Sequence, residues 1–337
     1  MLESIVSLQA LFISVAVVLL REQLPPNIAG LCITYSLTFA GTFQYMIRLT
    51  AEMETQLTAV ERLHAFSQIE QEPDYENGYL KEQHVDGVWP DSGRIQFKNL
   101  KLKYRENLPY VLNGVTCDIP TGSRVGICGR TGAGKSSILV CLFRLFEFDA
   151  VEDGEGIFID GLPTSKIGLF PLRSNICIIP QEPVLLSGTL RFNLDPFDRF
   201  SDDEIIESLK HVFLWDFIRE KAETIHYQIA ENGSNLSKGQ RQLICISRAL
   251  LQKPKILLLD EATSNIDYEN DQLIQQSIRE NFDKDCTILT IAHRLDTIMD
   301  SDKIMVLDKG KLIQYDSPQR LLNDEDGTFY RLYNNKI

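Results

Sequence analysis

Eight consecutive residues, 129–136, have the types and spacing of a loop that binds phosphate. They read Gly-Arg-Thr-Gly-Ala-Gly-Lys-Ser and match the pattern G-x-x-x-x-G-K-[ST]. An apolar strand is predicted just before them at residues 125–128, and a helical run begins at Ser137. In that context backbone N–H groups can surround phosphate oxygens, and the helix N-terminus adds a favourable dipole. Lys135 would then supply a positive charge to the β- and γ-phosphates, and Ser136 an oxygen to Mg²⁺.

Two adjacent carboxylates, Asp260 and Glu261, follow a second apolar strand that is predicted at residues 256–259. Burying carboxylates at the end of a strand is costly unless they bind something. Asp260 is placed to hold Mg²⁺ through water, and Glu261 to orient or activate an attacking water. Taken alone, the pair would equally suit the start of a helix. Beside a phosphate-binding loop, it predicts the second half of a nucleotide site.

Three further side chains are candidates for the same site. His293 ends the predicted strand 287–292, at the kind of sheet edge where ligands bind in open α/β sheets, and could donate a hydrogen bond to a γ-phosphate. Gln181 follows the run 176–180, and its amide could touch Mg²⁺ and water. The ring of Tyr104 could stack on adenine. Each of the three, taken alone, also suits an ordinary structural or surface role.

The elements that must position these residues alternate between strands and helices from residue 94 onward. This pattern predicts an α/β domain built on a largely parallel sheet. Its apolar strands are predicted at residues 125–128, 157–159, 256–259 and 287–292. Two antiparallel pairs are also predicted, residues 94–104 with 110–119 and residues 303–307 with 311–315.

The first 50 residues have a different character, with uncharged runs at residues 4–20 and 24–47. A helix needs about 20 apolar residues to cross a bilayer core. We interpret the runs as a transmembrane helical hairpin whose C-terminal end faces the cytoplasm, because Arg48 and Arg62 follow it. A signal peptide is disfavoured, because Glu3 is the sole charge before the first run. A buried helical hairpin of a soluble protein remains the alternative.

Residues 48–70 keep helical apolar spacing without Pro or Gly, which favours a helix continuing from the membrane into water; a separate amphipathic surface helix is equally compatible. Residues 71–93 contain Pro73, Pro90 and several Gly, Asp and Asn, as is typical of a linker. We therefore predict membrane helices at about 4–20 and 26–47 with a cytoplasmic extension at 48–70, a linker at 71–93, and a nucleotide-binding domain at 94–337.

Charge and cysteine content exclude two other classes. The 337 residues contain 34 Lys plus Arg and 47 Asp plus Glu, a formal charge of −13. Non-specific binding of nucleic acid requires Lys and Arg to displace counterions, so no nucleic-acid partner is expected. The seven cysteines are scattered and contain no C-x-x-C pair, which favours reduced thiols in a cytosolic domain over disulfides or a zinc site.

Residues 235–242, Asn-Leu-Ser-Lys-Gly-Gln-Arg-Gln, resemble the signature of ATP-binding-cassette proteins, usually LSGGQ. Together with the phosphate loop, Gln181, the segment 264–267 and His293, they resemble a complete cassette over residues 94–337. The stretches GRTGAGKSS, IIPQEPVLLSGTLRFNLDPF and TIAHRLDTI are similar to the second nucleotide-binding domain of subfamily C, the multidrug-resistance-associated proteins. Residues 1–70 resemble the last two membrane helices of that family.

This resemblance implies a P-loop ATPase of the cassette type, with a RecA-like core, an antiparallel β subdomain and a helical subdomain. It also implies that two cassettes enclose two ATP molecules, each between the phosphate loop of one domain and the signature of the other. The implied cofactors are ATP and Mg²⁺. The implied nucleotide-binding residues are Tyr104, Gly129, Arg130, Thr131, Gly132, Ala133, Gly134, Lys135, Ser136 and Ser137. The implied catalytic residues are Glu261, His293 and Gln181, the metal-binding residues are Ser136, Gln181 and Asp260, and the residues that reach the partner's ATP are Ser237, Lys238, Gly239 and Gln240.

Three residues, in two segments, depart from the family pattern. Lys238 replaces the first glycine of LSGGQ, and its side chain would either crowd the neighbouring phosphate or replace lost contacts. Asn265 and Ile266 replace the usual Ala-Leu. Glu261 suggests that the ATP bound to this domain is hydrolysed.

The resemblance implies the C-terminal part of an exporter of organic anions, conjugates or xenobiotics, with Met1 an internal methionine of a longer protein. Its partners would be a first nucleotide-binding domain, the remaining transmembrane helices, a small-molecule substrate and the bilayer of the plasma membrane or an organelle. Two alternatives remain at this point, an ATP-gated module of a channel-type subfamily C member and a soluble cassette ATPase.

Overall fold

A computed structural model of the protein describes residues 2–69, 71–72, 89–149, 154–221, 224–260, 268–282, 284–292 and 294–334. The chain divides into two compact units, Met1–Glu72 and Pro73–Ile337.

The first unit consists of two helices, α1 (Leu2–Leu19) and α2 (Pro26–Ser67). Pro26 occupies the first turn of α2, where the missing N–H costs no hydrogen bond and the fixed φ suits a helix. The 42 residues of α2 form one uninterrupted helix, so the predicted continuation beyond residue 47 is confirmed.

Large apolar side chains of both helices are exposed within this unit, among them Phe12 at 74% and Leu19 at 78%. In the described part of the chain, however, neither of these helices nor any other combines the length and the apolar character that a membrane crossing requires. The two helices are thus where the sequence predicts them, and the predicted transmembrane hairpin is not confirmed.

The second unit is built from twelve strands and nine helices among the described residues. The strands are β1 (Ile95–Leu102), β2 (Leu112–Ile119), β3 (Arg124–Gly129), β4 (Gly156–Ile159), β5 (Leu162–Pro163), β6 (Ile176–Ile179), β7 (Gly188–Thr189), β8 (Gln228–Ile229), β9 (Ile256–Asp260), β10 (Thr287–Ile291), β11 (Lys303–Asp308) and β12 (Lys311–Asp316). The helices are α3 (Lys135–Leu142), α4 (Leu169–Asn175), α5 (Leu190–Leu194), α6 (Asp202–His211), α7 (Trp215–Arg219), α8 (Lys238–Gln252), α9 (Tyr268–Asn281), α10 (Pro318–Asn323) and α11 (Thr328–Tyr333).

Six strands form the central sheet in the order β12-β11-β3-β10-β9-β6. Five of them run parallel, and β12 pairs antiparallel with β11. Strands β3, β9 and β10 are almost wholly buried, which is why they are continuous apolar runs without alternation. The predicted parallel sheet and the hairpin at its edge are confirmed for strands 125–128, 256–259 and 287–292 and for the pair 303–307 with 311–315. The predicted assignment of strand 157–159 to this sheet is wrong, because β4 pairs antiparallel with β1 in a separate sheet.

A second sheet has the order β2-β1-β4-β5 and is antiparallel, as predicted for its first pair. Its buried faces pack with α3 and one side of the central sheet into a single apolar cluster. Helices α5 to α8 cover the other side of β6 and β9 and form a second cluster with them. The predicted α/β class with its core, antiparallel subdomain and helical subdomain is therefore confirmed.

All seven cysteines are free thiols, in agreement with the prediction. Burial raises the pKa of Cys117, Cys141 and Cys177 to about 12, so these thiols stay protonated at neutral pH.

Candidate nucleotide-binding site

The phosphate loop connects β3 to α3 and holds Lys135 in place. The Nζ of Lys135 donates hydrogen bonds to the carbonyl oxygens of Gly129 at 2.9 Å and Arg130 at 3.2 Å. The side chain is buried, with 7% exposed, so its charge faces the inside of the loop. The loop's own carbonyl dipoles thus hold the ammonium group where phosphate oxygens would need it.

Two glycines in the loop are required by close backbone approaches. Gly129 has φ 151°, and a Cβ built there would lie 2.2 Å from the carbonyl oxygen of Leu307 on β11. Gly134 has φ 99°, and its Cβ would lie 2.8 Å from Leu112. Any side chain at either position would push the loop away from the strands that support it.

The carboxyl ends of the parallel strands bring the candidate residues to one edge of the sheet. Asp260 ends β9, where its register partner on β10 is Ile291, and Gln181 follows β6 after Pro180. Strands β3 and β9 are separated by β10, so their ends are about 10 Å apart at the usual strand spacing. That distance can be spanned by a metal ion and a phosphate chain.

A cavity of about 530 Å³ opens at this edge, beside the phosphate loop. Gly129, Thr131 and Lys135 line one side, and Ala292, at the end of β10, lines another. Burial raises the pKa of the Cys128 thiol beneath the loop to about 12, although the positive charge of Lys135 opposes this rise. The cation that lines the cavity is therefore Lys135, while the Cys128 thiol stays protonated and buried beneath it.

The signature residues begin α8. The Oγ of Ser237 accepts a hydrogen bond from the backbone N–H of Gln240 at 3.2 Å, and the Gln240 side chain accepts one from the N–H of Ser237 at 2.9 Å. This reciprocal cap satisfies two N–H groups of the first turn. Ser237 is exposed and Gly239 is buried, while Lys238 is the first helical residue and partly exposed. An exposed, capped helix N-terminus suits an anion that arrives from outside.

Residues Gln181 and Ser237 belong to elements that are in contact. The side chain of Gln242 on α8 donates a hydrogen bond to the carbonyl oxygen of Pro180 at 3.1 Å. This contact joins the signature helix to the residue just before Gln181.

Tyr104 lies two residues beyond β1, partly buried against the apolar cluster under the phosphate loop. Its hydroxyl forms a 3.0 Å hydrogen bond with the Oγ of Ser137, in the first turn of α3. The predicted base-stacking residue is thus adjacent to the phosphate-binding segment.

Glu261, His293 and the segment 264–267 lie outside the described residues, so their predicted roles stay predictions. Ser136, Asp260 and Gln181 are described, and Ser136 and Gln181 are exposed. Within the described ranges, no group of three His, Cys, Asp or Glu side chains could hold a metal ion by itself. Mg²⁺ at nucleotide sites usually takes one or two protein oxygens together with phosphates and water, a demand that Ser136 and Asp260 fit.

Sequence reasoning missed several contributors to the site. Leu332 and Tyr333 of α11 and Leu295 and Asp296 after β10 also line the cavity, and no local motif indicates them. The cap between Ser237 and Gln240 had a readable signal, the spacing S-x-x-Q before an apolar helix.

A parallel sheet that presents a glycine loop, a buried lysine and a strand-terminal acid at one edge defines a P-loop nucleotide-binding domain. Residues 112–264 match the sequence profile of the ABC transporter family. The chain therefore carries an ABC transporter ATPase domain over these residues.

The curated relatives include ATP-binding cassette sub-family C member 2 of Rattus norvegicus, 46% identical over 93% of this chain and 20% of the relative. ABC transporter C family member 8 of Dictyostelium discoideum is 48% identical over 94% of this chain and 19% of the relative. ATP-binding cassette sub-family C member 3 of Rattus norvegicus is 46% identical over 95% of this chain and 20% of the relative. The chain thus spans about a fifth of the length of these relatives.

Among solved structures, a bacterial Atm1-family ABC exporter with ATP bound matches with a TM-score of 0.72 and 29% identity. The match covers 90% of this chain and 52% of that chain. The likeness supports the same ATPase fold.

Proposed function

We propose that this chain binds ATP with Mg²⁺ and hydrolyses it in partnership with a second cassette, and that hydrolysis drives export of an organic anion, conjugate or xenobiotic across a membrane. The observation that carries the proposal is the position of Lys135, held by loop carbonyls at the edge of the sheet where Asp260 also ends its strand. Such a cradle suits a triphosphate and its metal ion.

The residues of the chain would divide the chemistry between them. The ammonium of Lys135 and the backbone N–H groups of residues 129–136 would hold the phosphate oxygens. The Ser136 hydroxyl, Asp260 and Gln181 would hold Mg²⁺, which, when bound, neutralises the charge that develops on the phosphates. Glu261 would orient the attacking water and accept its proton.

The second cassette would complete the site. Ser237 and the N-terminus of α8 are exposed, and together they present a hydroxyl and a helix dipole to an anion. Lys238, in the first turn, adds a positive charge at this surface. The exposed signature therefore suits the γ-phosphate of an ATP that is bound to the partner domain.

The membrane part of the proposal is supported by the relatives and by the first unit. The matched solved structure is that of an exporter, and the chain spans about a fifth of its curated relatives. The apolar side chains exposed on α1 and α2, such as Phe12 and Leu19, need a cover. We infer that the bilayer and the remaining transmembrane helices supply it, with the nucleotide-binding domain in the cytoplasm.

The test compares the wild type with Glu261→Gln, each co-expressed with a first cassette and the remaining helices of a subfamily C transporter in membrane vesicles. The variant should bind ATP as well as the wild type and hydrolyse it slower by about a hundredfold or more, because a general base typically contributes 10²–10⁴-fold. Glu220→Gln, at an exposed site remote from the loop, is the matched control. Equal hydrolysis and equal ATP-dependent substrate uptake in all three would refute the proposal.

A further inference from the structure

The ring of Tyr104 is held by two contacts of different kinds. Its hydroxyl bonds to the Oγ of Ser137, whose side chain is 5% exposed, at 3.0 Å. Its ring meets the ring of Phe146 at a centroid distance of 4.9 Å and an interplanar angle of 85°. That geometry is an edge-to-face aromatic pair, which fixes the plane of each ring relative to the other.

A buried arginine, two residues before Phe146, anchors the segment that carries this ring. The guanidinium of Arg144, 5% exposed, donates to the carbonyl oxygens of Thr164 at 2.9 Å and Ile167 at 2.7 Å. The carbonyl oxygen of Arg144 accepts a hydrogen bond from Arg173 at 2.9 Å. Phe146 therefore projects from a backbone that has little freedom to move.

The same segment is tied to the strand that leads to Tyr104. The N–H of Asp149 donates to the carbonyl oxygen of Lys101 on β1 at 3.0 Å. Its carboxylate pairs with the ammonium of Lys103 at 3.6 Å. Tyr104 and Phe146 thus come from two segments that are joined to each other. These backbone and ion-pair contacts help to fix the angle between the two rings.

Phe146 is partly open to solvent although it packs on Tyr104. Its side chain is 46% exposed although it contacts Tyr104 and follows an anchored arginine. Through the edge-to-face contact, Phe146 restrains the rotation of the Tyr104 ring. We define the aromatic corner as the rings of Tyr104 and Phe146 together.

We propose that Phe146 is a positioning residue for the nucleotide base, and that the aromatic corner holds the plane of the Tyr104 ring on which the base would stack. The inference rests on the proposed function, since it assumes a nucleotide on the phosphate loop. It adds to that function a residue from outside the phosphate loop and the signature.

The experiment measures dissociation constants of ATP and of inorganic tripolyphosphate, each with Mg²⁺, for the full chain in detergent. Phe146→Ala should weaken ATP binding about threefold to tenfold, the worth of an aromatic pair, and leave tripolyphosphate binding unchanged because that ligand has no base. Phe146→Tyr keeps the ring and should bind ATP as the wild type does. Leu145→Ala, at a neighbouring side chain that is 57% exposed, is the matched control and should change neither constant.

Three results would overturn the inference. Unchanged ATP binding in Phe146→Ala would show that the corner does not act on the base. An equal loss for ATP and tripolyphosphate would show a structural disturbance of the phosphate loop. Failure of Phe146→Tyr to restore ATP binding would show that the aromatic ring is not what strengthens ATP binding.

Should Phe146→Ala fail to fold, Phe146→Leu keeps the apolar volume without the ring and undergoes the same comparison. A wild-type chain that binds neither ligand would instead refute the proposed function.

Discussion

Lys135 carries the charge on which the phosphate site depends, and its environment explains why. Its Nζ is held by the carbonyl oxygens of Gly129 and Arg130, so the ammonium group needs little reorganisation when phosphate oxygens arrive. A preorganised charge in a partly buried loop interacts more strongly with an anion than a fully solvated charge does, because the effective dielectric constant is lower.

Lys135→Ala should therefore weaken ATP binding by at least about tenfold, because a hydrogen bond to a charged group contributes about 1.5–3 kcal/mol. Isothermal titration of the full chain in detergent measures the change. Lys166→Ala removes an exposed lysine outside the loop and should bind ATP normally. Equal dissociation constants for both variants and the wild type would contradict this role.

At the residue scale, the phosphate loop was predictable because the motif is local, whereas contacts between distant segments were not. The strand, the glycines and the lysine all lie within about a dozen positions, and the structure shows the same strand, loop and helix. Phe146 meets Tyr104 between segments that a hydrogen bond from Asp149 to Lys101 joins, and no sequence pattern specifies that contact.

At the scale of elements, the packing of β3 against β11 leaves no room for a side chain at one glycine of the loop, whereas another glycine has open space around it. Gly129 lies against Leu307, whereas a Cβ built at Gly132, with φ 80°, meets no atom within 4 Å. The first position is constrained by a neighbouring strand, and the second by its own backbone alone.

Gly129→Ala should lower the free energy of unfolding by about 3 kcal/mol, as expected for backbone overpacking. Gly132→Ala should lower it by about 1–2 kcal/mol, the cost of a left-handed non-glycine residue. Chemical denaturation without nucleotide compares the two variants with the wild type. A greater loss for Gly132→Ala than for Gly129→Ala would contradict the packing argument.

Asp160, in the turn after β4, anchors the segment that enters β1. Its carboxylate accepts hydrogen bonds from the N–H groups of Ser92 at 2.9 Å, Gly93 at 3.1 Å and Arg94 at 2.8 Å. Burial alone would raise its pKa, but these hydrogen bonds outweigh it and lower the pKa. The stabilisation is therefore present above the unfolded pKa of about 4 and is lost as the pH falls through the lower, folded pKa.

Asp160→Asn should accordingly lower the melting temperature at pH 7, and the gap to the wild type should narrow as the pH falls below about 4. Differential scanning fluorimetry between pH 7 and pH 3 measures the difference in melting temperature between the variant and the wild type. Asp216→Asn, at an exposed carboxylate, should show no such trend. A gap that is constant from pH 7 to pH 3 would show that the charge of Asp160 does not contribute.

Strands β3, β9 and β10 were predicted at this scale because buried parallel strands are continuous apolar runs, whereas β6 and the two-residue strands were not predicted as strands. Helices α10 and α11, with six residues each, had no comparable signal, since short helices depend on tertiary packing. For that reason the contribution of Tyr333 to the cavity was not predicted.

At the scale of the whole molecule, the two units differ in how far their surroundings can be inferred. The second unit buries its apolar side chains in three clusters of its own. The first unit leaves Phe12 and Leu19 exposed, and the sequence alone could not say whether lipid or protein covers them. The chain spans about a fifth of the length of its curated relatives, and the cover proposed above is the bilayer with the rest of such a transporter.

The central claim is that the edge of the parallel sheet holds a triphosphate with its metal ion. The most direct measurement is equilibrium binding of ATP to the full chain with its partner cassette, with Mg²⁺ present and after chelation. The account predicts saturable binding with the metal, weaker binding after chelation, and displacement by tripolyphosphate. Absence of saturable binding when both metal and partner are present would contradict it.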